Sequence, residues 1–117
     1  MAACDIALGT PQAVFMFSEV RLGLVPAMIS PYAVAAIGER HARRYMISAE
    51  RIDAAEALRI GLLHEVCEPD AQDARIGKLV AQMLNGGPEA MARSKLLTKA
   101  VAGRPIDTAM KEYTART

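Results

Sequence analysis

Apolar positions follow two rhythms along this chain: short solid runs near the start, and a spacing of three to four residues after residue 70. The runs at 5–8 and 13–17, divided by Gly9-Thr10-Pro11-Gln12, predict two strands in succession. Residues 26–30 predict a loop. Ser30-Pro31 predicts a helix start, with the Ser30 hydroxyl as N-cap and Pro31 at the first helical position, where its missing N–H costs nothing. That helix should stop at Gly38. A second short helix over 39–47 would turn Arg40, Arg43 and Arg44 to solvent and Ala42, Tyr45 and Met46 toward a partner. Asp53-Ala54-Ala55-Glu56 follows capping-box logic with Asp in the cap, Gly61 supplies a left-handed stop, and 62–67 predicts a strand closed by Pro69-Asp70.

The clearest helix is predicted over 71–85, because Ile76, Leu79, Val80, Met83 and Leu84 fall at the i, i+3, i+4, i+7, i+8 spacing of one face. Gly86-Gly87 ends it, Pro88 opens another that runs to about Gly103, and 105–116 predicts a last helix with no cap marking its end. The expected fold class is therefore α/β, a few short strands followed by a helix-rich C-terminal part, with residues 1–117 forming one domain-sized unit. So few strands leave most apolar helical faces without a sheet to cover them.

Composition sharpens this in two places. Hydrophobic residues make up 52% of the chain with no Trp, a mix that favours packed helices over a β-sandwich. The net charge of +1 is spread without a basic stripe, so neither a nucleic acid nor an anionic membrane is an indicated partner. No apolar run approaches the roughly 20 residues that span a bilayer. Cys4 and Cys67 lack CxxC spacing and read as reduced core thiols, which makes cytoplasmic the default location. The chain enters an apolar segment directly after Met1, as though it began in mid-domain.

The candidate chemistry lies in Ser18-Glu19-Val20-Arg21-Leu22-Gly23-Leu24-Val25-Pro26. An apolar run that feeds a carboxylate into a Gly/Pro loop can hold it on a rigid element, partly out of water, where it can act in proton transfer. From spacing alone, Glu19 reads as a surface or ion-paired carboxylate, as most glutamates are. Asp5 reads as a buried structural carboxylate, and the Arg40, Arg43, Arg44 group as a solvated helix face. Neither His41 nor His64 has a second ligand at metal spacing, so no metal site is expected.

These residues carry a family resemblance. Cys4-Asp5-Ile6-Ala7, the Ser18–Pro26 stretch, and the run from Ser48-Ala49-Glu50-Arg51 through Ile52-Asp53-Ala54-Ala55-Glu56 to Val66 resemble, in order and spacing, the middle and later part of the crotonase superfamily, the enoyl-CoA hydratases and isomerases. The resemblance implies a partial spiral ββα fold in a C-terminal fragment. It further implies that a Gly-rich turn with an oxyanion-hole N–H and, in many hydratases, a first glutamate would lie before Met1. Glu19 matches the family's second catalytic glutamate, and Pro26, Ala27 and Met28 match its substrate-binding loop. Where the commonest pattern continues Gly-Ala-Gly-Gly-Thr-Gln, this chain has Ala27-Met28-Ile29-Ser30-Pro31-Tyr32, similar to hydratases of branched acyl groups such as methylglutaconyl-CoA or carboxygeranoyl-CoA.

The resemblance implies addition of water to a 2-enoyl-CoA, with CoA entering as part of the substrate, no separate cofactor, and a homo-oligomer (trimer or hexamer) as the assembled protein. Two alternatives stay open. One is a double-bond isomerase working with a single glutamate; the other is a non-catalytic fragment that only associates with full-length subunits.

Overall fold

A computed structural model describes all 117 residues. It is a helix-rich α/β arrangement in two compact units, Met1–Asp73 and Ala74–Thr117. The first holds four two-residue strands, β1 (Leu8–Gly9), β2 (Val14–Phe15), β3 (Ile52–Asp53) and β4 (Glu65–Val66), with helices α1 (Ser30–Ser48) and α2 (Ala54–Arg59). Helix α3 (Gln72–Leu84) begins at its end, and α4 (Pro88–Val101) and α5 (Thr108–Ala115) make up the rest of the second unit.

Successive strands do not pair with each other. β1 runs parallel to β4 with Leu8 opposite Glu65, and β2 runs antiparallel to β3 with Phe15 opposite Ile52. The β1 pairing is extended by the His64 N–H donating to the Ala7 carbonyl at 2.8 Å and the Cys67 N–H donating to the Gly9 carbonyl at 3.0 Å. Gly9 thus belongs to the strand and not to the expected turn. A Cβ there would sit 2.7 Å from Leu63 Cδ1, so its missing side chain lets the backbone approach the core. The pairs are too short to stand alone. They are held by a core in which Tyr45, Ile52 and Leu63 are fully enclosed, with Phe15 and Phe17 packed against it.

Helix α1 covers both helices expected over 31–47, because the backbone at Gly38 (φ 78°, ψ 161°) leaves the helical region and resumes at once. Only glycine enters that conformation without a Cβ clash, so the predicted stop becomes a kink. Beyond it Ala42 and Tyr45 are buried and Arg40, Arg43 and Arg44 exposed, as their spacing requires. The expected Ser30 cap is corrected. Ile29 is the N-cap with no side-chain bond, and Ser30 Oγ donates instead to the Ala27 carbonyl at 2.9 Å, tying the helix start to its own loop.

Asp53 caps α2 as expected, its Oδ1 accepting the Glu56 N–H at 2.8 Å, and Gly61 follows at φ 85°. Glu56 does not complete the box. Its carboxylate accepts from the Tyr45 hydroxyl and from Arg59 Nε at 2.6 Å, bolting α2 to α1. The Arg59 guanidinium first, and the Tyr45 hydroxyl next, hold the Glu56 carboxyl at about 2 against an ordinary 4.5. Burial, and then the Glu56 carboxylate, push the Tyr45 phenol up.

Two further expectations are corrected. Asp5 and Cys4 are exposed and precede β1 in a bend, because the strand starts only at Leu8, and Cys67 is half-buried. No helix is long and apolar enough to cross a membrane.

Candidate active site

Glu19 opens a 3-10 turn, Glu19–Leu22, with three residues between it and the end of β2. Phe15 and Phe17, packed on the core, anchor the segment that delivers it. The turn closes at Gly23, whose φ of 72° brings its N–H back to the Glu19 and Val20 carbonyls, and the Leu24 N–H adds a bond to the Glu19 carbonyl at 3.1 Å. The Glu19 main chain is therefore held on both sides of the turn.

The side chain is half-buried, and its Oε2 atom is shielded from solvent with no hydrogen-bond partner. A carboxylate oxygen in that state costs free energy, so it marks either strain or a place where another molecule supplies the missing bond. No other side-chain N or O atom in the chain is buried and unpartnered in this way.

The predicted substrate-binding residues lie on the loop that leaves this turn. Pro26 is half-buried and its carbonyl accepts the Ser30 N–H at 3.0 Å; the Ala27 N–H donates to the Val25 carbonyl at 2.8 Å. Met28 is 90% exposed, free to meet a ligand and taking no part in the core. Leu22, Leu24 and Val25 are likewise exposed, so the loop presents apolar side chains to solvent around a rigid backbone. On the far side of the turn Arg21 Nη2 donates to the Ala49 carbonyl at 3.1 Å, a contact that no sequence pattern flagged.

The other candidate residues stay apart from this arrangement. His64 Nδ1 accepts the Ala7 N–H at 3.0 Å and so serves the β1–β4 pairing. No group of three or more His, Cys, Asp or Glu is placed to hold a metal ion.

An open cleft of ≈ 830 Å³ lies within the second unit, lined by Pro88, Arg93, Ser94, Leu97, Thr114 and Thr117 among others. Several of its polar groups are engaged locally: Arg93 Nη2 with Glu89 at 2.7 Å, Ser94 Oγ with the Ala90 carbonyl at 2.7 Å, Thr114 Oγ1 with the Lys111 carbonyl at 3.1 Å. Those bonds run within single helices, whereas Glu19 Oε2 is buried with no partner at all. Glu19 is the candidate that the geometry singles out.

Comparison with known proteins bears on the family. Residues 1–115 match the family model for enoyl-CoA hydratase/isomerase. Among curated relatives, the short-chain-enoyl-CoA hydratase of Clostridium acetobutylicum is 30% identical over 109 residues, which cover 92% of this chain and 42% of that protein. A crystal structure of an enoyl-CoA hydratase from Shewanella pealeana superposes with a TM-score of 0.92 at 39% identity, covering 98% of this chain and 43% of that one. A Thermobifida fusca protein assigned as an enoyl-CoA hydratase, solved in complex with acetoacetyl-CoA, superposes with a TM-score of 0.86 at 32% identity and covers 98% and 46%. The chain thus spans less than half the length of these relatives. Matched along all but its last two residues, it belongs to the enoyl-CoA hydratase/isomerase family.

Proposed function

We propose that this chain serves the hydration of a 2-enoyl-CoA thioester, with Glu19 as a proton-transferring carboxylate. The observation that carries the reading is the Glu19 Oε2 atom, shielded from water and without a partner, on the residue that resembles the family's second catalytic glutamate. Adding water places a hydroxyl on the β-carbon and a proton on the α-carbon. Charge builds meanwhile on the thioester carbonyl, which backbone N–H groups must stabilise. A carboxylate fixed by its main chain and short of one hydrogen bond is suited to orient the water or relay its proton, because little reorganisation remains to be done.

The CoA portion enters with the substrate and no separate cofactor takes part, so elemental analysis of the purified protein should find no stoichiometric zinc or iron. The exposed apolar loop around Met28, with Ile29 beside it, supports a branched acyl group as the substrate class. The uncovered apolar side chains of Leu22, Val25 and Leu84 support assembly with further copies in a homo-oligomer. Two free cysteines support a reducing, cytoplasmic location.

The test is Glu19→Gln in protein purified without denaturation from its native source, so that whatever assembles with the chain stays with it. Across a panel of straight and branched 2-enoyl-CoA thioesters, turnover should fall about 10²- to 10⁴-fold, the usual worth of a general acid or base. Unchanged kcat would remove Glu19 from the mechanism. Including 3-enoyl-CoA thioesters decides the isomerase alternative, in which a single glutamate suffices.

A further inference from the structure

The Arg21–Ala49 bond joins two features that neither end explains alone. Helix α1 finishes on Ala49, a non-glycine residue in the left-handed region (φ 53°, ψ 29°), and its last turn carries no basic side chain. A helix C-terminus gathers unpaired carbonyls and partial negative charge, which a cation normally offsets from within the last turn. Here the cation comes from elsewhere: Arg21, 28 residues earlier, places Nη2 3.1 Å from the Ala49 carbonyl. Ala49 is itself 1% exposed, so the acceptor belongs to the packed part of the first unit.

Arg21 is also the third residue of the 3-10 turn whose first residue is Glu19. At three residues per turn the two side chains leave on different sides. One reaches the end of α1, while the other keeps Oε2 out of solvent. No acidic side chain pairs with Arg21 among its side-chain bonds, so the guanidinium is committed to this backbone acceptor.

We propose that Arg21 is the positioning residue for Glu19: its bond to the Ala49 carbonyl clamps the Glu19–Leu22 turn to the end of α1 and thereby fixes the carboxylate at its working place. This inference rests on the reading of Glu19 as the proton-transferring group. A guanidinium bonded to a carbonyl acts here as a strut and not as a participant in the chemistry.

The test compares Arg21→Met, Arg21→Lys and Glu19→Gln in natively purified protein, by steady-state kinetics and by amide hydrogen exchange. In Arg21→Met, kcat should fall about 10- to 100-fold with KM within about twofold, because misplacing a reacting group by about an ångström costs that much in rate. Exchange of the Gly23 and Leu24 amides, which close the turn onto Val20 and Glu19, should accelerate. Exchange of the Ile60 and Leu62 amides, bonded within the α2 region, should not change, which shows that the unit remains folded. Arg21→Lys, which keeps a donor of similar reach, should recover most of the rate. An inactive Glu19→Gln beside a fully active Arg21→Met, or unchanged Gly23 and Leu24 exchange in Arg21→Met, would overturn the proposal alone. Full activity in Glu19→Gln would overturn the catalytic reading and the proposal with it.

Discussion

Every buried side chain lies between Ala7 and Leu63, inside the unit Met1–Asp73, whereas the unit Ala74–Thr117 buries none although it is mostly helical. The second unit does not lack apolar residues. Ile76, Val80, Met83 and Leu84 form the stripe that made α3 the most legible helix in the chain, and all four are exposed. An amphipathic stripe records which face a helix needs covered; it does not supply the cover. The first unit supplies its own, by bringing α1, α2 and the strand pairs onto Tyr45, Ile52 and Leu63.

The sharpest way to break this comparison is to make the same deletion in both units. Leu63→Ala should destabilise the first unit by about 2–5 kcal/mol, since it removes a fully enclosed side chain and leaves a cavity. Leu84→Ala, at a residue 78% exposed, should change stability by less than about 0.5 kcal/mol. Urea unfolding followed through resolved amide signals of each unit measures both. A large cost at Leu84 would show that the α3 face is covered in solution.

Acid offers a second contrast. The Glu56 carboxyl is held at about 2 in the folded state against an ordinary 4.5. A depressed folded value means that this stabilisation is present above pH 4.5 and is lost as pH falls toward 2. The first unit should therefore weaken through that window, and Glu56→Gln should flatten its pH dependence there; amide signals from α4 serve as the internal reference.

The smallest effect compares two like caps. Asp53 accepts the Glu56 N–H at 2.8 Å at the start of α2, and Asp107 accepts the Met110 N–H at 2.8 Å at the start of α5. Each Asp→Ala change removes about 1 kcal/mol of helix stabilisation. In Asp53→Ala that loss should appear as a lower unfolding midpoint of the whole first unit. In Asp107→Ala it should appear only as faster amide exchange at the start of α5, because no buried core couples that helix to the rest.

Legibility followed the range of the interaction. The Asp53 cap, the Gly61 stop, the interruption at Gly38 and the limits of α3 and α4 were readable because each depends on the stereochemistry of a few neighbouring residues. The Asp107 cap is equally local, but Pro105 draws the expected helix start three residues ahead of Thr108. β3 left no trace in the pattern: one apolar residue, Ile52, between Arg51 and Asp53 shows no periodicity. The apolar run over 5–8 suggests a strand around Asp5 and Cys4, but the hydrogen bonds that define β1 begin only where β4 reaches it.

At the site the same division holds. By itself the sequence determined that a glutamate stands ahead of a glycine-closed turn and a proline loop, and that the surrounding residues resemble a known family, because residue identity and short spacing carry that much. Only the tertiary structure decided that Glu19 Oε2 is shielded and unpartnered, that Arg21 reaches the Ala49 carbonyl, and that β1 finds β4 while β2 finds β3. Desolvation and strand pairing depend on which atoms arrive from tens of residues away, and a local pattern of polar and apolar positions holds no record of their arrival.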